Sequence, residues 1–279
     1  QLLIHNAIQE TDNTFIRNLI LNPIETLNEF DCNVYFISPI DENQENQEIE
    51  DVIVTIEDNN QTTGNLPLGK IKILSNKIPD WVFIPFNFQR TERRQKLKEE
   101  LTKRNIIIDN INDFNSIWNN SQQKEALILA YKKIPGDFNT NSMTLYSGLD
   151  EHRPYFEKYA GRRMLGYYFD HYFPTVQGCL YLGDYDAKGP LKWGSLYSKY
   201  KDYWNSIGVI QIPHHGSSHN YNKEINKIHP VISIISAGKL NRHDHPDSST
   251  IKNIVLDGGI PIIISEDPKT GIKYRVNRR

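Results

Sequence analysis

The chain has 279 residues, 38% hydrophobic and 24% charged, enough apolar material for a buried core and too much for a disordered tail. Its 32 basic and 34 acidic residues leave a formal net charge of -2, which removes bulk charge as an argument for a nucleic-acid or membrane-surface partner and leaves only a local basic patch. Two cysteines, Cys32 and Cys179, without C-x-x-C spacing, exclude a disulfide framework and a cysteine zinc knuckle, so any metal must be held by histidine and carboxylate.

No apolar run approaches the roughly 18 to 20 residues that span a bilayer, and the opening QLLIHNAIQE lacks a charged-then-apolar leader plan. The expectation is a soluble, cytoplasmic chain without a membrane partner. Residue 1 is Gln, which reads as a piece of something longer.

Composition splits the chain near residue 137, predicting an N-terminal part over 1–137 and a C-terminal part over 138–279. In the first part NVYFISPI, DVIVTIED, LGKIKILS and WVFIPFNF read as strands. The acidic run Asp41 to Asp51 between the first two reads as a solvated loop. It fails the calcium-loop pattern, because Asn46 and Val52 stand where Gly and Glu are needed. RTERRQKLKEELTKR predicts an exposed helix, and one further helix is predicted from Asn112 to Lys133, stopped by Ile134-Pro135-Gly136.

The second part alternates short apolar strands with helical segments, the pattern of sheets covered by helices. Strands are predicted at SMTLYSG, GCLYLGD, IGVIQIP, PVISIISAG, GIPIIIS and IKYRV, with helices near 190–204, 221–228 and 248–256. The segment between Tyr155 and Phe173 follows neither helical nor strand spacing. It interleaves aromatics with Lys158, Arg162 and Arg163, a mixture that stacks bases and holds phosphates, or one that packs an insertion.

Six of the 9 histidines fall between His214 and His245. Strand ends are rigid and present side chains to a cleft, and four such ends carry polar groups: Asn139 to Ser142, Gly183-Asp184, Pro213-His214-His215-Gly216, and Asn241-Arg242-His243-Asp244-His245-Pro246. A lone Asp or His after a strand is commonly a turn or cap residue. Adjacent imidazoles gain little from packing and repel when charged, whereas neutral imidazoles suit a transition metal. His219, His229 and His243 are expected to stand outside the site.

The order N-x-N-S, strand-G-D, strand-P-H-H-G-S and strand-N-R-x-x-H-P resembles the metallo-β-lactamase fold of the competence-type, ComEC-like branch, over about Phe138 to Val276. The resemblance implies an α/β fold, a four-layer αββα sandwich, here N-terminally incomplete and with insertions. It implies a metal-dependent hydrolase with two ions, zinc or manganese, acting on phosphodiesters in nucleic acid or nucleotides. On this resemblance Asp184, His214 and His245 match metal ligands, and His215 and His245 match catalytic positions. Asn141, Ser217, Arg162 and Arg163 are the expected substrate contacts.

The superfamily's H-x-H-x-D-H signature is missing from this sequence, where His5 is the sole histidine before His152. Three candidate ligands do not build a dinuclear centre. Three readings stay open: the signature lies upstream in a longer parent, the chain is a non-catalytic binding or scaffolding module on the same fold, or the late histidines are structural. With those ligands missing, the chain is expected to bind zinc weakly or not at all.

Overall fold

The computed structural model describes residue 26 and residues 34–37, 40–41, 52–55, 63–66, 70–75, 78–89, 91–108, 111–136, 142–150, 159–164, 167–171, 176–227 and 232–275. In chain order these form β1 (Val34–Ile37), β2 (Ile40–Asp41), β3 (Val52–Thr55), β4 (Thr63–Leu66), β5 (Ile71–Ser75), β6 (Ile78–Phe86) and β7 (Phe88–Gln89). Helices α1 (Thr91–Thr102), α2 (Ile111–Asn119) and α3 (Ser121–Tyr131) follow. Next come β8 (Thr144–Leu149), β9 (Tyr159–Met164), β10 (Tyr167–His171), β11 (Gly178–Tyr181), α4 (Pro190–Lys199), β12 (Ile207–Gln211), β13 (Ile232–Ser236), α5 (Ser248–Leu256), β14 (Ile260–Ile264) and β15 (Ile272–Arg275). The chain is mixed α/β. No helix among the described residues is long and apolar enough to cross a membrane.

The chain divides into two compact units. Unit 1 comprises residues 1–47, 58–67 and 88–141. Within it β1 pairs with β4 and β2 with β7, both parallel. The single helix predicted from 112 to 133 is two helices, because Asn120 interrupts it and caps α3. Its Oδ1 accepts from the Gln122 and Gln123 amides, both at 3.1 Å, satisfying donors that a helix start leaves open.

Unit 2 comprises residues 48–57, 68–87 and 142–279, so three strands from the first half of the sequence belong with the second. They join a sheet of eight strands in the order β14-β13-β12-β11-β8-β6-β5-β3. The run β11 to β14 is parallel throughout. Strand β8 is antiparallel to both β11 and β6. Ile207, Ile210, Ile212, Ile232 and Ile235 are fully buried, each contributing about 1.5–3 kcal/mol of transfer free energy. The IPIII strand β14, apolar along its whole length, lies at the sheet edge, and Ile263 is 39% exposed.

Tyr200, just past α4, fastens that helix to the sheet. Its hydroxyl donates to the Ile84 carbonyl at 3.1 Å and lies 2.9 Å from Thr144 Oγ1. Its complete burial pushes the phenol pKa up. The segment predicted as a helix near 221–228 is a single tight turn, Lys223–Asn226, whose Ser233–Asn226–Tyr221 hydrogen-bond chain ties it to β13.

A second, three-stranded antiparallel sheet has the order β10-β9-β15. Ile272 of β15 packs against the core cluster of Val209, Ile232 and Ile262 in the large sheet. The segment that showed no spacing in sequence therefore supplies two strands of this sheet.

Candidate functional site

Parallel pairing decides where the motif residues meet. Because β11, β12 and β13 run side by side in one direction, the loops that follow them leave from the same edge of the sheet. In α/β sheets that edge, outside the carboxyl ends of the strands, is where ligands bind. The loops carry Gly183-Asp184, His214-His215-Gly216 and Asn241 to Asp247. Antiparallel β8 begins at the same edge, since Tyr181 pairs with Leu145. Asn141, expected there, lies outside the described residues.

Backbone hydrogen bonds stitch the three loops together. The His214 amide donates to the Gly183 carbonyl at 2.9 Å, joining the first two loops, and the Asp247 amide donates to the Gly216 carbonyl at 3.2 Å, joining the second to the third. Gly216 has φ +83°, and a Cβ there would stand 2.7 Å from Pro246 Cβ and 3.1 Å from Ile235 Cγ2. A side chain at this position would drive the two histidine loops apart.

Asn241 closes the third loop on itself. Its Oδ1 accepts from the His245 amide at 2.7 Å, while its Nδ2 lies 2.7 Å from the His245 carbonyl and 2.8 Å from that of Gly238. Asp247 Oδ2 accepts from the Ser218 amide at 2.5 Å, and this donation holds the Asp247 carboxyl below its ordinary pKa. Glu266 accepts the Lys239 amide at 3.2 Å from the far side.

The backbone itself is unusual here. Four non-glycine residues among those described adopt positive φ, and three of them are His214 (47°), His215 (55°) and Asp244 (52°). Left-handed backbone at such residues costs on the order of 1–3 kcal/mol each and collects at functional sites. Several buried isoleucines on the strands that hold these loops outweigh that cost.

The side chains form a connected group. His214 Nδ1 lies 3.9 Å from Asp184 Oδ1. The His214 ring centroid is 5.9 Å from that of His215 and 6.0 Å from that of His245, and His243 stacks on His245 at 5.8 Å. His243 was expected to stand outside this group. Its place one residue before Asp244 gave no sign that the left-handed turn would lay its ring on His245.

His215 is exposed, and its Nδ1–H donates to the Ser236 carbonyl at 2.6 Å. That bond fixes the tautomer and leaves Nε2 with its lone pair. The side chain of His245 is 12% exposed, and its Nδ1 is buried without a hydrogen-bond partner among the described residues. Burial lowers its pKa; the neighbouring His214, His243 and His215 add to this, against the opposing Asp247 3.9 Å away. Both the burial and the neighbouring rings favour the uncharged form of His245.

Imidazoles beside a carboxylate suit zinc or manganese in chemical kind, and the orphaned His245 Nδ1 is the sort of buried atom a metal satisfies. In number the donors fall short: among the described residues no group of three or more His, Cys, Asp or Glu is gathered to hold an ion. Ser217, expected to meet substrate, is 3% exposed, and its Oγ accepts from the His219 amide at 3.3 Å, so it serves the turn. Arg162 and Arg163 are successive residues of β9; their side chains are outside the described set. Comparison with family models, curated proteins and solved structures gave no match to this chain.

Proposed function

We propose that this protein is a metal-dependent hydrolase of the metallo-β-lactamase superfamily, competence-type branch, acting on phosphodiesters in nucleic acid or nucleotides. The observation that carries the reading is the convergence of Asp184, His214, His215 and His245 on three stitched loops at the carboxyl edge of parallel strands, with left-handed backbone at both His214 and His215. The contact of Ile272 with the large-sheet core supports two sheets packed face to face, the inner layers of a four-layer αββα sandwich.

Zinc or manganese, when bound, lowers the pKa of its water to about 7 and offsets charge on the attacked phosphorus oxygens. Asp184, His214 and His245 are the residues that would hold it, with further ligands needed from beyond the described residues to complete a two-ion site. His215, its tautomer set by Ser236, offers Nε2 to accept a proton from the nucleophile and, once protonated there, to donate to a phosphate oxygen. Asn241 and Asp247 keep the His245 loop in register with the His214 loop.

The test is turnover of single-stranded DNA, RNA and bis-nitrophenyl phosphate in the presence of manganese or zinc. Hydrolysis of any of the three supports the reading. Stoichiometric metal with no turnover on all three overturns it.

A second reading, a non-catalytic binding module on the same fold, is favoured by one observation: the described residues gather no three-ligand metal group. It predicts no stoichiometric transition metal and full biological activity in an Asp184→Ala variant.

A further inference from the structure

The two ring nitrogens of His245 stand in different surroundings. The side chain keeps 12% exposure, and Nδ1 alone of the two nitrogens is buried without a hydrogen-bond partner among the described residues. Nε2 is therefore the nitrogen that an incoming ligand can reach. A neutral imidazole carries its proton on one nitrogen and a lone pair on the other. A metal takes the lone pair, so the ring serves an ion at Nε2 only while the proton stays on Nδ1.

The group facing Nδ1 is the carboxylate of Asp247, whose Oδ2 lies 3.9 Å away. Asp247 stands at the N-cap of α5, where an aspartate ordinarily accepts from the first amides of its own helix. Here its side chain makes no such bond. Oδ2 accepts instead from the Ser218 amide at 2.5 Å, and the Asp247 amide donates to the Gly216 carbonyl at 3.2 Å. Tied at both points to the segment that follows His214 and His215, the carboxylate is held beside the His245 ring rather than over its helix.

An ionised carboxylate has only acceptor sites, and one can serve the Ser218 amide and an imidazole N–H together. The present gap is too long for a hydrogen bond. A turn of the ring that shortens it by about 1 Å gives a charge-assisted bond, and such bonds are often long before a ligand arrives. An ion at Nδ1 would have to enter between the ring and the carboxylate, where the atom is closed to solvent. Asp247 satisfies the same atom without that intrusion. His215 shows the same division, with Nδ1 bonded to the Ser236 carbonyl and its other nitrogen left for chemistry.

We propose that Asp247 is the positioning residue of His245: it accepts from Nδ1–H, fixes that tautomer and presents Nε2 to the metal. The role deepens the phosphodiesterase reading and rests on it for the ligand at Nε2, whereas the place of the proton does not depend on it.

The experiment is a two-bond proton–nitrogen NMR spectrum of the full chain, labelled with nitrogen-15, in EDTA at about pH 8, above the ordinary histidine pKa of about 6.5. It reports which ring nitrogen carries the proton, and the His245 signals are those lost in His245→Gln. The parent is expected to hold the proton on Nδ1. Asp247→Ala withdraws the acceptor, and Asp247→Ser withdraws it while leaving a hydroxyl suited to capping α5. In both variants the proton is expected to move to Nε2, the place imidazole favours when nothing holds it. Zinc affinity, measured by competition with a chromophoric chelator, is expected to fall about 10- to 100-fold in Asp247→Ser.

A parent protonated at Nε2, an Nδ1 proton kept in the folded variants, or equal zinc affinity in parent and Asp247→Ser overturns the role. Metal-dependent turnover alongside any of these results would spare the hydrolase. An Nδ1 proton that moves in the variants, in a parent that binds no zinc, would uphold the Asp247–His245 pair and sink the metal reading.

Discussion

His215 shows how much one hydrogen bond settles. The donation from its Nδ1–H to the Ser236 carbonyl decides which nitrogen is free for chemistry. Gly216 matters for a different reason, since the space a methyl group would need is taken by Pro246 and Ile235. Gly216→Ala is expected to destabilise the protein by about 1–3 kcal/mol, through left-handed strain and the clash together. Urea denaturation measures it, and an unchanged midpoint would show that the His214 and His245 loops do not depend on this contact. Asn241→Ala removes the acceptor of the His245 amide; amide hydrogen exchange at His245 is expected to accelerate while that of Ile235, inside β13, stays slow. In sequence the N-R-x-x-H-P order drew the eye to His245, yet the roles of Asn241 as a clasp and Ser217 as a buried turn residue needed the loop's three-dimensional path.

The elements contribute electrostatics of their own. In α1, Glu100 accepts hydrogen bonds from Lys103 at 2.8 Å and Arg104 at 2.7 Å, which lower its pKa from 4.5 to about 2. A carboxylate with a lowered folded pKa adds stability that is present above its ordinary value and lost as pH falls toward the folded one. The Glu100→Gln variant should therefore lose part of the stability change that the parent shows between about pH 4.5 and 2; identical acid profiles would show the cluster to be inert. At the end of β8, burial of Asp150 opposes its ionisation, but Lys70 at 2.9 Å and Lys72 at 3.3 Å outweigh that and hold its pKa below the ordinary value. The same sign applies, so Asp150→Asn should flatten acid unfolding further.

Strands were readable where a short, nearly continuous apolar run stood between turn residues, as in ISIIS and IGVIQ. They were hidden in YAGRRM and YYFDH, whose sequences keep no two-residue alternation of apolar and polar residues, so only the backbone pairing with one another and with β15 identifies them as strands. The two helices α2 and α3 were read as one because a polar Asn at position 120 fits a helix surface as well as a cap.

For the molecule as a whole, the division of the sequence near residue 137 misses that β3, β5 and β6 complete the large sheet from the first half. Long-range strand insertion leaves no local composition signal, so such membership is decided by pairing alone. The parallel run from β11 to β14 was foreshadowed by the alternation of strands and helices, and it is this run that brings three separate motifs to one edge. Zinc or manganese should act on that edge. If the ion binds the folded state alone, the melting temperature rises with metal concentration, and the rise should shrink in the His245→Ala protein. An equal rise in both would place the ion elsewhere.

The central claim is that the edge bearing Asp184, His214, His215 and His245 hydrolyses phosphodiesters with a bound metal. The most direct measurement is the manganese-dependent rate of bis-nitrophenyl phosphate hydrolysis by the parent and by Asp184→Ala, both shown to be folded. The account predicts measurable turnover in the parent and a loss of about 100-fold or more in the variant, at least the effect of disturbing a ligand's support. Equal rates in the two proteins, or none in a metal-loaded parent, would contradict it.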